Sequence, residues 1–293
     1  MRTLPLCLLL LLSLSCGMEN NDSQSKQSGL LPFGQNQIYY ETQGAGKPLV
    51  FLHGGGVDHR MWAEQFSHFK DRYQVVVYDI RGHGQSSFQE NEALEIEDLK
   101  ALLDHLKLSD IQLVGLSLGA ILAVDFALAY PELVDRLSLL SPGLIGVQEG
   151  DSTYLAPLLK MGGFFQKGDI EGAADVVEDI TFLGQRDRIP EGLDSMRQYV
   201  RQSFIEHVNK KNHVRLPQIK EVKPAGRLAE ITCPLLLMYG AEDAAYVVRN
   251  VERFKKAIPS AEVQVVEGAA HLVNLEKPSE VNARLEKFLE ATE

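Results

Sequence analysis

Short apolar runs alternate with segments of helical periodicity along most of the chain. The apolar runs are rich in leucine and β-branched residues, which is typical of strands buried on both faces of a parallel sheet. The predicted strands are Ile38–Thr42, Pro48–Leu52, Gln74–Tyr78, Ile111–Val114, Leu137–Leu140, Leu235–Tyr239 and Glu262–Val266. The predicted helices between them are Met61–Phe69, Glu92–Leu106, Leu118–Tyr130, Val247–Ala257 and Ser279–Leu289. This alternation predicts an α/β fold with a mostly parallel sheet flanked by helices.

One long stretch interrupts the alternation. Residues 142–232 contain no convincing strand, and their apolar spacing predicts helices at Thr153–Phe165, Ile170–Phe182 and Pro190–Val208. Because this stretch lies between two predicted strands of the sheet, we interpret it as a helical cap inserted into an α/β core. The core is then predicted to comprise residues 30–141 and 233–293.

The N-terminal segment has the pattern of an export signal. Residues 1–15 begin with Met-Arg and continue with an apolar run from Leu4 to Leu14. That run is about half the roughly 20 residues that a membrane-spanning helix needs, so it predicts a secretory signal peptide rather than an anchor.

The residues after the apolar run refine this prediction. Ser13-Leu14-Ser15-Cys16-Gly17 resembles a bacterial lipoprotein signal, in which the cysteine becomes the lipidated first residue; here Leu14 stands closer to the cysteine than in the family pattern. Residues 16–29 are mostly polar and predict a flexible tether. We therefore expect an exported cell-envelope protein anchored to the membrane through a lipidated Cys16. The alternative is ordinary signal cleavage and a periplasmic or secreted protein.

Charge and cysteine content narrow the class further. The chain has 29 Lys and Arg against 40 Asp and Glu, a net charge of −11, which argues against nucleic acid as a partner. Cys7 and Cys16 belong to the N-terminal segment, so Cys233 is the single cysteine of the predicted folded part and no disulfide can form within it.

Gly115-Leu116-Ser117-Leu118-Gly119 joins a predicted strand to a predicted helix. A serine in this context sits on a sharp, strained turn that exposes its hydroxyl at the edge of the sheet. The strand and helix backbones then approach closely, and this favours glycine at positions 115 and 119. We predict that Ser117 is a nucleophile.

A second glycine motif, His53-Gly54-Gly55-Gly56, follows the predicted strand Pro48–Leu52. Backbone N–H groups in such a loop can face a substrate oxygen. We assign the oxyanion hole to the N–H groups of Gly55 and Leu118, with His53, Gly54 and Gly56 as the supporting loop. A nucleotide-binding loop is disfavoured, because no Lys-Ser/Thr follows and no G-x-G-x-x-G motif is present.

With these two motifs, the chain resembles the α/β-hydrolase superfamily over residues 30–293. Residues 79–86, Asp-Ile-Arg-Gly-His-Gly-Gln-Ser, are similar to a loop of its esterase, lactonase and cofactor-free haloperoxidase branch. The resemblance implies a Ser, acid, His order of catalytic residues. It points to Asp243 as the acid, with the neighbouring Glu242 as the alternative. It also points to His271, the one histidine that follows Asp243, as the base.

The expected activity is hydrolysis of a carboxylic ester or lactone, a small-molecule substrate, through an acyl-enzyme on Ser117. Neither a cofactor nor a metal is expected, since there is no HExxH motif and no Cys/His cluster. Two alternatives stay open. One is C–C bond hydrolysis or perhydrolysis by the same residues, and the other is a non-catalytic surface lipoprotein that uses the fold for binding.

Overall fold

The computed structural model describes residues 25–88, 95–146, 152–209 and 224–291. The predicted signal peptide and Cys16 lie outside the described residues. Within those ranges, no helix is both long enough and apolar enough to cross a membrane.

An eight-stranded sheet forms the centre of the molecule, in the order β1-β2-β4-β3-β5-β6-β7-β8. The strands are β1 (Gln27–Phe33), β2 (Asn36–Gln43), β3 (Pro48–Leu52), β4 (Gln74–Tyr78), β5 (Ile111–Leu116), β6 (Val134–Leu140), β7 (Leu235–Gly240) and β8 (Glu262–Val266). β1 and β2 are antiparallel, β2 is antiparallel to β4, and all other neighbours are parallel. The predicted α/β class with a mostly parallel sheet is confirmed.

The first strand corrects one boundary of the sequence interpretation. β1 begins at Gln27, so the last three residues of the predicted tether, 16–29, belong to the sheet. β1 is an edge strand without a buried position, and it is ordered by pairing along its whole length with β2. A buried-strand pattern therefore could not reveal it.

Helices cover both faces of the sheet. They are α1 (Ala63–Phe69), α2 (Glu95–Leu106), α3 (Leu118–Ala129), α8 (Ala245–Ala257), α9 (Val273–Glu276) and α10 (Pro278–Leu289). α2, α3 and α8 pack their apolar residues into one core cluster, and α1 and α10 pack into a second cluster on the opposite face. The strand ends that carry the candidate residues are thus held between two apolar layers.

Between β6 and β7 lie the helices of the cap, as the fold-class prediction expected: α4 (Ser152–Gln166), α5 (Ile170–Glu178) and α6 (Asp194–Asn209). α5 continues into a π-helical turn, Asp179–Leu183, and the short helix α7 (Pro224–Arg227) leads back towards the core. Apolar cap side chains such as Val177 and Phe204 share the second core cluster with β3 and β5. The predicted helix Pro190–Val208 starts four residues too early, because Gly192 has φ of +86°.

Candidate active site

Ser117 occupies the junction between β5 and α3. Its φ of 54° and ψ of −106° place a non-glycine residue in a strained backbone region. A Cβ on Gly115 would collide with the carbonyl of Gly119, and one on Gly119 would collide with the carbonyl of Leu52. Both glycines are therefore required by close backbone approach, and the turn holds Ser117 at the wall of a cavity.

Leu118 and Gly55 lie side by side at the same cavity. A Cβ built on Gly55 would lie 3.8 Å from the Cβ of Leu118. Leu118 is the first residue of α3, and the leading N–H groups of a helix have no acceptor within the helix. The positive end of the α3 dipole also favours negative charge at this point. The arrangement provides backbone donors and a favourable field beside Ser117.

His53 supports the glycine loop from beneath. Its Nδ1 donates to the carbonyl of Gly54 at 2.7 Å, and its Nε2 accepts from the N–H of Ile80 at 2.9 Å. The ring is fully buried, and burial lowers the pKa of His53 below its ordinary value. Gly56 has φ of +74°, and a Cβ there would press against Phe204 of the cap. These contacts fix the loop that presents Gly55.

Asp243 and His271 form a buried hydrogen-bonded pair. Asp243 follows β7, His271 follows β8, and His271 Nδ1 lies 2.9 Å from Asp243 Oδ1. The same carboxylate oxygen accepts from the N–H of Ala244 at 2.8 Å. The described hydrogen bonds join His271 to Asp243 and not to the alternative acid, Glu242. An Nδ1–H bound to the carboxylate leaves Nε2 of the neutral ring as a base.

The electrostatics of this pair favour proton uptake by His271. Burial disfavours the charged imidazolium, but the charge of Asp243 and its hydrogen bond outweigh burial. The pKa of His271 is therefore raised above its ordinary value of 6.5. An imidazole with a raised pKa can take a proton from a hydroxyl and hold it, as acyl transfer requires.

The cap contacts both loops that carry this pair. The carbonyl of Thr181, in the π-helical turn, accepts from the N–H of His271 at 3.2 Å. The N–H of Gln185 donates to the Glu242 carbonyl at 2.8 Å, and its side chain donates to the Asp243 carbonyl at 2.5 Å. The loops therefore depend on the cap for their position.

A buried ion pair completes this support. Glu276 Oε1 accepts from the N–H of Ala270, next to His271, at 2.8 Å, and Glu276 Oε2 accepts from Arg186 at 2.9 Å. Arg186 also donates to the carbonyl of Gly268 at 2.8 Å. No motif or spacing in the sequence marks Gln185, Arg186 or Glu276, so their supporting contacts were not predicted.

Ser117, His271, Gly55 and Leu118 line one cavity of about 190 Å³. Much of its wall is apolar, including Ile121, Pro157, Leu158, Met161, Val177 and Phe204. No lysine or arginine occurs among the described residues that line it. Two histidines with no role predicted from the sequence, His83 and His207, also belong to the wall.

The loop that follows β4 has internal structural contacts. Asp79 accepts from the N–H and Nδ1 of His59, and Arg81 forms a buried two-point ion pair with Asp98. Asp58, His59 and Asp79 are the one described group of three possible metal ligands. Asp58 is already bound at several points by Arg60, whose positive charge opposes a metal ion there.

Comparison with known proteins identifies the family. The family model described as "Alpha/beta hydrolase family" matches residues 49–284, which include every candidate site residue. The chain belongs to this family.

Three relatives of the chain differ in the activities that their names describe. Carboxylesterase YbfK of Bacillus subtilis is 28% identical over 262 residues, covering 88% of this chain and 85% of that protein. 2-Hydroxy-6-oxo-6-phenylhexa-2,4-dienoate hydrolase of Comamonas testosteroni is 26% identical over 265 residues, covering 86% and 91%. The solved structure of Est816, described as an N-acyl homoserine lactone degrading enzyme, is 30% identical with a TM-score of 0.71, covering 89% of this chain and 100% of that one.

Proposed function

We propose that this α/β hydrolase is a serine hydrolase that cleaves a carboxylic ester or lactone through an acyl-enzyme on Ser117. The observation that carries the proposal is the buried hydrogen bond between Asp243 and His271, beside a cavity that also contains Ser117 on its strained turn. These residues supply a nucleophile, a base and a group that orients the base.

In the proposed reaction, His271 Nε2 takes the proton of the Ser117 hydroxyl as its oxygen attacks the substrate carbonyl. The N–H groups of Gly55 and Leu118 stabilise the negative charge that develops on the carbonyl oxygen. The tetrahedral intermediate collapses, the C–O bond of the ester breaks, and His271 gives its proton to the leaving alkoxide. Asp243 stabilises the imidazolium throughout.

Deacylation reverses the roles with water as the nucleophile. His271 takes a proton from water, the hydroxide adds to the acyl carbonyl, and the Ser117 oxygen leaves with the proton returned by His271. A lactone follows the same course, except that its alkoxide stays attached to the acyl group, so the product is one hydroxy acid.

The apolar cavity wall favours uncharged substrates with an apolar acyl part. Transfer of a carboxylate into such a cavity is costly unless a cation meets it, and the described lining has no lysine or arginine. The carboxylesterase and the lactone-degrading enzyme among the relatives therefore fit better than the dienoate hydrolase, whose substrate, by its name, carries a carboxylate. C–C bond hydrolysis is the second candidate, supported by relatives such as that dienoate hydrolase.

The test is hydrolysis of p-nitrophenyl esters from acetate to decanoate by the full chain, together with labelling by a fluorophosphonate. Ser117→Ala should abolish both turnover and labelling, and Ser67→Ala, an exposed serine on α1, should leave both unchanged. Folded wild-type protein that neither turns over any ester nor reacts with the fluorophosphonate would refute the proposal and favour a binding role.

We also propose that the protein is exported and anchored through lipidated Cys16, on the sequence pattern alone. Cells expressing the full chain should incorporate labelled palmitate into it, and Cys16→Ser should remove the label and release the protein from the membrane fraction. Cys7→Ser is the control within the same segment. Equal labelling of wild type and Cys16→Ser would refute the anchor.

A further inference from the structure

A stacked pair of histidines forms part of the cavity wall, and the proposed reaction does not use it. His83 belongs to the loop after β4, and His207 belongs to cap helix α6. Their ring centroids lie 4.2 Å apart with an angle of 20° between the rings. His83 is 6% exposed and His207 5% exposed. His53 lies on the other side, with its ring centroid 5.0 Å from that of His83.

The hydrogen bonds of this pair determine which nitrogens carry hydrogen. His83 Nδ1 lies 3.3 Å from the carbonyl of Arg81, and His207 Nδ1 lies 2.7 Å from the carbonyl of Gly82. A carbonyl oxygen can only accept, so each Nδ1 bears a hydrogen. In a neutral imidazole with Nδ1–H, Nε2 has a lone pair and acts as an acceptor.

His83 is kept in that neutral form. Burial, together with repulsion from His207 and His53, lowers the pKa of His83 well below its ordinary value of 6.5. Two stacked imidazolium rings at this separation would also repel each other strongly. His83 thus meets the cavity at neutral pH as an uncharged ring with an acceptor nitrogen.

We propose that His83 is a substrate-binding residue that accepts a hydrogen bond from an N–H or O–H group of the substrate, with His207 and His53 holding its ring in place. This inference rests on the proposed function and narrows its substrate class. The substrate is an uncharged ester or lactone that carries a hydrogen-bond donor besides its apolar part. An acylamino lactone has these features, whereas a carboxylate would face the nitrogen lone pair and be rejected.

Three other polar side chains of the cavity wall already have a partner or a role, and His207 and Tyr246 line the same cavity. The hydroxyl of Thr181 donates to the carbonyl of Val177 within its own helix. Ser117 and His271 are committed to the reaction itself. His83 joins the catalytic core to the cap helix through its stack on His207, so a substrate group bound there lies between the two parts of the protein.

The test compares two lactones that differ at one group. The first is N-hexanoyl-homoserine lactone. The second is its carba analogue, in which CH₂ replaces the amide N–H. Each kcat/KM is divided by the rate constant of the same lactone with hydroxide, which removes differences in intrinsic reactivity. We expect the full-length wild-type protein to favour the N–H lactone by about tenfold after this correction, the effect of one buried hydrogen bond.

Variants assign that preference to the nitrogen of His83. His83→Phe keeps a ring for stacking and removes the acceptor, so the preference should fall to about onefold. The fall should come from a lower kcat/KM for the N–H lactone, with kcat/KM for the carba analogue unchanged. His83→Gln restores an acceptor oxygen and should recover part of the preference. His68→Phe, an exposed histidine on α1, is the matched control and should keep the wild-type ratio.

Several results would overturn the inference. Equal corrected rates in the wild type would do so without any variant, and so would an unchanged preference in His83→Phe. Hydrolysis of p-nitrophenyl esters with neither lactone accepted would overturn this inference and leave the proposed function standing. Folded protein that hydrolyses no ester and no lactone would overturn both.

Discussion

Glu276 offers a test of how His271, the proposed base, is held in place. Its carboxylate links Arg186 of the cap to the backbone of Ala270, beside His271. The two charged side chains are nearly inaccessible, 2% exposed for Glu276 and 9% for Arg186. In Glu276→Gln one amide oxygen remains to accept, so one of the two donors loses its partner and the guanidinium loses its counter-charge.

Breaking one side of a buried ion pair costs about 3–5 kcal/mol. Arg186 keeps its bonds to the carbonyls of Phe182 and Gly268, so we expect about 3 kcal/mol, the lower end of that range. The same change removes a negative charge that raises the pKa of His271. The acidic limb of the activity profile should therefore move to lower pH.

Two measurements check this reasoning on the same variant. Denaturant unfolding gives the change in the free energy of unfolding, and kcat/KM for a p-nitrophenyl ester against pH gives the apparent pKa of the base. The control is Glu230→Gln, which breaks the exposed pair of Arg227 and Glu230 and should leave the free energy of unfolding nearly unchanged. A Glu276→Gln cost no larger than the control, or an acidic limb that stays or moves upward, would refute the argument.

Three further outcomes follow from the site. Gly119→Ala forces a Cβ into the backbone of β3, so it should abolish activity and destabilise the protein by more than about 3 kcal/mol. The control Gly163→Ala has open space around the new Cβ and should stabilise α4 by about 0.5–1 kcal/mol. Denaturant unfolding measures both changes. In the wild type, kcat/KM should rise with pH with an apparent pKa above 6.5, because His271 must be neutral to act and its pKa is raised. Asp243→Asn should lower kcat by about 10³–10⁴ and lower this apparent pKa. Stopped-flow kinetics and pH–rate profiles would show both effects. The pKa of His83 is lowered in the folded state, so below pH 6.5 the unfolded chain binds more protons than the folded one and the protein becomes less stable. Thermal unfolding between pH 7 and 5 should show this loss of stability. An unchanged dependence of stability on pH in His83→Phe would contradict the prediction.

The sequence could predict the inner strands because burial on both faces imposes a continuous apolar pattern. β3, β4 and β8 have the predicted bounds, and β5 and β6 extend the predicted runs. β1 could not be found this way, since an edge strand with one exposed face is ordered by its partner rather than by its own composition.

The positions of the candidate site residues follow from topology. Ser117, Asp243 and His271 each come directly after a predicted strand, and the carboxyl ends of parallel strands meet at one edge of the sheet. The cap contacts could not be predicted, because Gln185 and Arg186 act through hydrogen bonds to loops distant in the sequence and carry no motif. The stack of His83 on His207 is likewise a tertiary contact between the core and the cap.

The hydrogen bonds between the cap and the loops of Asp243 and His271 limit which parts of the cap can change during evolution. Thr181 and Gln185 form hydrogen bonds with the backbone that carries His271 and Asp243, so this edge of the cap is tied to the core. A cap transplanted from a relative would change specificity without loss of turnover only if it brought equivalent bonds at these two positions. Substitutions that change substrate specificity are therefore better tolerated in α4 and α6 than at the π-helical turn.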